Sequence, residues 1–255
     1  MGVSVSSAVI IVPARLASTR FPGKVLASRT GKPLVQHVVE RAAMARCCRL
    51  AIVAADDQAI VDALTPFGTR VVLTSPDHAN GTSRLAEAAT LLNLEPDEII
   101  VNAQGDEPEI EPETIDAAVR ALLTTPGAVV GTVACPIASD ADVANPNIVK
   151  VVRRADAGAL YFSRSAIPHD RDHRKDPESG PLRHVGVYAY RNAFLQRYAQ
   201  MPSTPLERTE QLEQLRVLEH GLTIGVGLCK PGAPGVDTPE QYEAFVQRWN
   251  SRRAH

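Results

Sequence analysis

The chain has 255 residues, 44% of them hydrophobic, enough to bury a sizeable core within one domain. Its formal net charge of −2, with no lysine- or arginine-rich block, argues against a general attraction for nucleic acid. No apolar stretch approaches transmembrane length, and the N-terminal apolar run, Ala8 to Val12, has no basic flank, so neither membrane insertion nor a secretory leader is expected. The four cysteines, Cys47, Cys48, Cys135 and Cys229, form no C-x-x-C pair and read as reduced, mostly buried thiols.

Along the chain, Val9 to Val12 reads as a short buried parallel strand. A loop rich in Pro, Gly and cations runs from Pro13 to Pro33. Residues 34–45 follow as an amphipathic helix with Leu34, Val35, Val38, Val39 and Ala42 on one face. A strand at Leu50 to Ala54, a helix at Gln58 to Phe67 and a strand at Val71 to Thr74 come next. Thr82 is placed to cap a helix carrying Leu85, Ala88, Ala89 and Leu92, and Ile99 to Asn102 forms a fourth strand. This alternation predicts a parallel sheet covered by helices on both faces. Beyond residue 125 the pattern loosens. It leaves strands at Val129 to Ala134, Ile148 to Val152 and Val185 to Tyr190, an exposed loop from Pro168 to Pro181, and helices at Leu206 to His220 and Pro239 to Trp249. The last helix has a start signal in Thr238, Pro239 and Gln241.

The loop after the first strand reads P-A-R-L-A-S-T-R-F-P-G-K, from Pro13 to Lys24, and brings three cations, Arg15, Arg20 and Lys24, to a carboxyl strand end, where open α/β sheets bind ligands. It suits a triphosphate cradle and equally a solvated basic loop. It is not a Walker A loop, because Ser18 and Val25 stand where that motif needs its first Gly and its hydroxyl. Asp106, in N-A-Q-G-D-E-P, follows the fourth strand, and Asp237, in G-V-D-T-P, precedes the last helix. Two carboxylates from distant segments fit Mg²⁺ in phosphoryl or nucleotidyl chemistry. Each also has a plainer use, Asp237 in complementing a helix dipole and Asp106 in ordering a turn.

These motifs occur in order with G-K-P at 31–33, A-L-Y-F-S-R at 159–164, R-H-V-G-V-Y at 183–188 and L-E-Q-L-R at 212–216. Together the set resembles the 3-deoxy-manno-octulosonate (Kdo) cytidylyltransferase family over nearly the whole chain. The first motif alone fits several sugar nucleotidyltransferases; the later ones point to this family. The resemblance implies a three-layer, Rossmann-like α/β nucleotidyltransferase fold with a mainly parallel central sheet and a smaller second lobe. It implies one domain over 1–255, with 1–125 mainly the CTP half and 126–255 mainly the sugar-binding and dimerisation half. CTP and Kdo would be the substrates, Mg²⁺ the cofactor, and CMP-Kdo for lipopolysaccharide the product of a cytoplasmic homodimer.

By the same resemblance, Lys24, Arg15 and Asp106 are catalytic, and Asp106 and Asp237 hold the metal. Ala14, Arg15, Lys24, Gly81, Arg84 and Gln104 bind CTP, while Arg164, His184, Tyr188, Glu213 and Gln214 form the sugar site. Arg164 or His184 suits the Kdo carboxylate, and Tyr188, Glu213 and Gln214 supply donors and acceptors for hydroxyls. Glu213 and Gln214 are expected on one helix, and Glu210, Glu213 and Arg216 also fit a salt-bridged helix face. The chain departs from the family at Ser83, where relatives carry an acidic residue. Two other readings stay open: the same transfer to a related acid sugar, or nucleotide binding without turnover.

Overall fold

The computed structural model describes residues 7–78, 80–172 and 180–253; residues 173–179 of the charged loop read from Pro168 to Pro181 lie outside the described residues. Strand β1 (Ala8–Ala14) is buried almost throughout, as its unbroken apolar run requires. It pairs in parallel with β2 (Cys48–Ala55) on one side and β4 (Ile99–Asn102) on the other, and β3 (Val71–Leu73) extends the sheet beyond β2. The connecting helices are α1 (Leu34–Ala43), α2 (Gln58–Leu64) and α3 (Gly81–Leu91). The helix expected to reach Phe67 ends at Leu64, and a 3₁₀ turn through Pro66 completes it. Other ends in this half move by one or two residues.

The second half completes the same sheet. Its strands are β5 (Ala128–Pro136), β6 (Lys150–Arg153), β7 (Ala159–Ser163), β8 (Leu182–Arg191) and β9 (Thr223–Leu228). The order is β3-β2-β1-β4-β8-β5-β9, with β6 and β7 branching off β8. Only β8 opposes its neighbours β4 and β5, so the other six strands of that path run one way. Helix α4 (Pro112–Thr124) precedes β5, α5 (Asp140–Ala144) follows it, α6 (Asn192–Gln200) follows β8, and α9 (Pro239–Arg253) closes the described chain. Helices α4, α5 and α6 and strands β7 and β9 have no counterpart in the sequence reading.

The helix expected over 206–220 is two short helices, α7 (Pro205–Glu210) and α8 (Leu215–Glu219). The break falls at Gln211, in the left-handed region at φ 53°. Glu213 therefore lies in the intervening turn and Gln214 is the N-cap of α8. No salt-bridged face joins Glu210, Glu213 and Arg216; Arg216 pairs with Glu207 instead. Thr82 is not the cap of α3 either. That cap is Asn80, whose side chain accepts from the Ser83 N–H at 2.9 Å, and Thr82 sits buried in the first turn.

Alternate residues of β1 feed two cores, one on each face of the sheet. Ile10 and Val12 join Val35, Val38 and Ile115 under α1 and α4, while Val9 and Ile11 join Leu85, Ile100 and Leu195 under α3 and α6. A third, smaller cluster of Leu34, Val236, Tyr242, Phe245 and Val246 fastens α9 to the start of α1. All four cysteines are free, and no helix among the described residues is long and apolar enough to cross a membrane.

Candidate active site

The carboxyl ends of β1 and β4 open into a cavity of about 940 Å³. Its floor is the loop after β1. The Leu16 N–H donates to Asp56 at 3.1 Å, which bends the chain away from the strand, and Gly23, at φ 68°, turns it into the one-turn helix that carries Lys24. The loop after β4 comes close beside it: a Cβ on Gly105 would lie 2.6 Å from the Pro13 carbonyl oxygen. This contact brings Asp106 alongside Lys24. The Val236 N–H donates to the Asp106 carbonyl at 2.7 Å and anchors the third segment, which ends in Asp237.

Lys24 Nζ lies at the meeting point, 2.7 Å from Asp106 Oδ2, 2.8 Å from Asp237 Oδ1 and 3.1 Å from the Val236 carbonyl. Burial alone would lower the Lys24 pKa, but Asp106 and then Asp237 outweigh it and hold it above the ordinary lysine value. Burial would raise the Asp237 carboxyl, but Lys24 and Arg20, whose Nη2 lies 2.9 Å away, keep it below the usual range. Arg15 projects exposed into the same cavity, with Ala14, Gly81, Gln104 and Glu213 on its walls. Arg84 also lines it, though its guanidinium donates to Thr74 Oγ1 at 2.7 Å and to the Ser75 carbonyl at 3.1 Å.

A second cavity, of about 370 Å³, adjoins the first, and Gly81, Gln104 and Glu213 belong to both. His184 and Tyr188 form one wall with ring centroids 5.4 Å apart, and Glu213 and Gln214 face it from the turn before α8. Burial and the neighbouring Arg183 push His184 down to about 3, so at neutral pH it is an uncharged imidazole that bonds Thr132 Oγ1 at 3.0 Å. Burial pushes Glu213 up, against the hydrogen bond Thr82 donates at 3.2 Å.

Arg164 is not brought into either cavity. Its Nε, Nη1 and Nη2 donate to the carbonyls of Glu210, Pro146 and Gln211, so it braces the turn behind the wall. The cation that lines the smaller cavity is Arg183. Sequence reasoning passed over it, although Gly186 signals the irregularity that admits it. The β5–β8 register shifts between Thr132 and Val133, and both Arg183 and His184 line the cavity. Also missed were Tyr190 and Tyr198 on the same walls, and His78 on the wall of the larger cavity. Ser83, at the family's acidic position, bonds His78 Nδ1 at 3.1 Å, and the other ring nitrogen pairs with Glu87.

A sheet whose strand ends gather cations, paired carboxylates and a second polar cavity suits a nucleotidyltransferase, and the comparisons define that class. Residues 9–224 match the family model described as Cytidylyltransferase. A 3-deoxy-manno-octulosonate cytidylyltransferase of Geobacter sulfurreducens is 49% identical over 246 residues, covering 93% of this chain and 97% of that protein. One of Syntrophobacter fumaroxidans is 49% identical over 236 residues, covering 92% and 94%. The solved structure of a CMP:2-keto-3-deoxy-manno-octonic acid synthetase complexed with CTP superposes with a TM-score of 0.89 at 40% identity, over 97% of this chain and all of that one. A 4-diphosphocytidyl-2C-methyl-D-erythritol synthase, at TM-score 0.61 and 14% identity, shares the fold over 94% of this chain and 98% of its own. The chain belongs to the 3-deoxy-manno-octulosonate cytidylyltransferase family.

Proposed function

We propose that the protein transfers CMP from CTP to the anomeric hydroxyl of Kdo, releasing pyrophosphate, as a Mg²⁺-dependent cytoplasmic homodimer supplying lipopolysaccharide synthesis. The observation that carries this is the pair of adjoining cavities, one cationic at the β1 and β4 ends and one lined with sugar-type donors and acceptors. The sugar hydroxyl attacks the α-phosphorus from the smaller cavity; its O–H bond breaks and the proton leaves to water, a new P–O bond forms, and the bond to the β-phosphate breaks. Arg15 and Lys24 neutralise the charge that develops on the departing pyrophosphate. Arg183 offers the fork that pairs with the sugar carboxylate, while neutral His184, Tyr188 and Gln214 orient hydroxyls.

Asp106 and Asp237 suit a hard divalent ion. Their oxygens already converge on one cationic centre, the Lys24 ammonium. No cluster of three or more His, Cys, Asp or Glu residues fit to hold a metal occurs among the described residues, so water and phosphate oxygens would complete the shell, as Mg²⁺ prefers. When bound there, Mg²⁺ supplies charge neutralisation at the phosphates. The test is pyrophosphate release from CTP with and without Kdo, in Mg²⁺ and in EDTA, with sedimentation of the same sample. Release requiring both Kdo and Mg²⁺ is expected, from a species of twice the chain mass. A folded protein that binds CTP but leaves Kdo untouched would overturn the assignment of the sugar.

A further inference from the structure

Asn102 is used by neither the phosphate chemistry nor the sugar contacts assigned above. It ends β4, pairs with Tyr188 across the antiparallel register, and shares a sheet face with Ile100. The residue is only 4% exposed, it lines the smaller cavity, and its Oδ1 has no hydrogen-bond partner. A buried acceptor left unsatisfied bears the full cost of losing its water.

Three donors on the cavity wall are engaged elsewhere. The Gln104 amide donates to the Gly186 carbonyl at 3.0 Å, Thr82 Oγ1 to Glu213, and the Tyr198 hydroxyl to the Glu213 carbonyl at 2.7 Å. A primary amide both donates and accepts, and a hydroxyl does the same, so a sugar hydroxyl is a group it can pair with whichever end meets the cavity. We propose that Asn102 determines sugar specificity by hydrogen-bonding a hydroxyl of the acid sugar through its side-chain amide. This rests on the reading of the smaller cavity as the acceptor-sugar site. A pocket built to pair a hydroxyl discriminates strongly against the analogue that lacks it, because its own polar atom is then left bare.

The experiment is steady-state kinetics of wild type, Asn102→Ala and Asn102→Leu, with thermal melting of each; the Leu variant keeps the volume should the smaller one fail to fold. The expected result is a Kdo KM raised about tenfold or more, a CTP KM within about twofold, and a melting temperature unchanged or higher, since an unpaired buried atom has been removed. A purely structural role would instead lower the melting temperature and disturb both substrates. Monodeoxy Kdo analogues complete the test: one of them should cost the wild type as much as the substitution does, and cost the variants nothing more. Unchanged Kdo KM in both variants would sink the proposal while leaving the activity itself standing. Absence of any Kdo turnover by the wild type would remove the sugar-site reading on which it rests.

Discussion

At the scale of single residues, the site turns on one ammonium group held between two carboxylates. Lys24 has only 13% of its side chain exposed and contacts oxygens from segments 82 and 213 positions away in sequence. In the proposed reaction its charge serves the leaving pyrophosphate, so Lys24→Met, which keeps the apolar stem, should lower kcat by about 10²–10³ and leave the Kdo KM little changed. Near-normal turnover would take Lys24 out of the mechanism. Asp237→Asn keeps the shape and the local cap, in which Gln241 Oε1 accepts from the N–H groups of residues 237 and 238 at 2.7 and 3.1 Å. That variant should therefore fold, with an unchanged circular dichroism spectrum, yet lose activity at ordinary Mg²⁺. Full activity there would mean that Asp237 merely completes a helix start.

At the scale of elements, the sheet admits α4 only because glycines line its floor. Gly131 on β5 pairs with Gly225 on β9, and a Cβ at these positions would lie 2.2 Å from the Ala118 carbonyl oxygen and 2.4 Å from that of Ala121. Both obstacles are backbone and cannot swing aside. Gly131→Ala should therefore cost at least about 2–3 kcal/mol, read as a lowered urea midpoint with unchanged slope; a stability equal to wild type would show that α4 can lift without loss. Such close packing also explains which elements could be read in advance. The strands from β1 to β4 and α1 announce themselves, because an unbroken apolar run and a 3.6-residue stripe are local signals. The α7–α8 break does not, because Gln211 takes a left-handed conformation with no glycine to mark it, so Glu213 and Gln214 were expected on a helix and sit in a turn instead. Lys24, Asp106 and Asp237 were legible as residues beside strand and helix ends. Arg164 and Arg183 were not separable by sequence, since which arginine faces a cavity and which is spent on three carbonyls depends on a strand irregularity and a turn distant in the chain.

At the scale of the molecule, the candidate site joins early and late parts of the described chain, because the segment before α9 brings Asp237 back to the loop that holds Lys24. The seam between them runs through His37, 2% exposed, which meets the rings of Phe245 and Trp249 edge-on at 5.0 and 4.4 Å and bonds Thr30 Oγ1 at 2.6 Å. Burial, then the charge of Lys32, pushes His37 down from 6.5 to about 4, with Glu40 opposing. In the unfolded chain this imidazole takes up a proton below about 6.5, while in the folded protein it stays neutral until about 4. Across that window the unfolded state binds more protons, so acidification weakens the fold, by up to about 1.4 kcal/mol per pH unit from this one group. Other buried groups titrate as well: the raised pKa of Glu213 contributes in the opposite direction over part of the range. The informative quantity is therefore the difference between wild type and His37→Gln, measured by urea unfolding from pH 7 to pH 4.5. Wild type should lose stability more steeply than the variant as the pH falls, with the two curves parallel above about pH 7. Parallel curves through the whole range would mean that His37 protonates inside the folded seam, and that the junction of α1 with α9 is open to water.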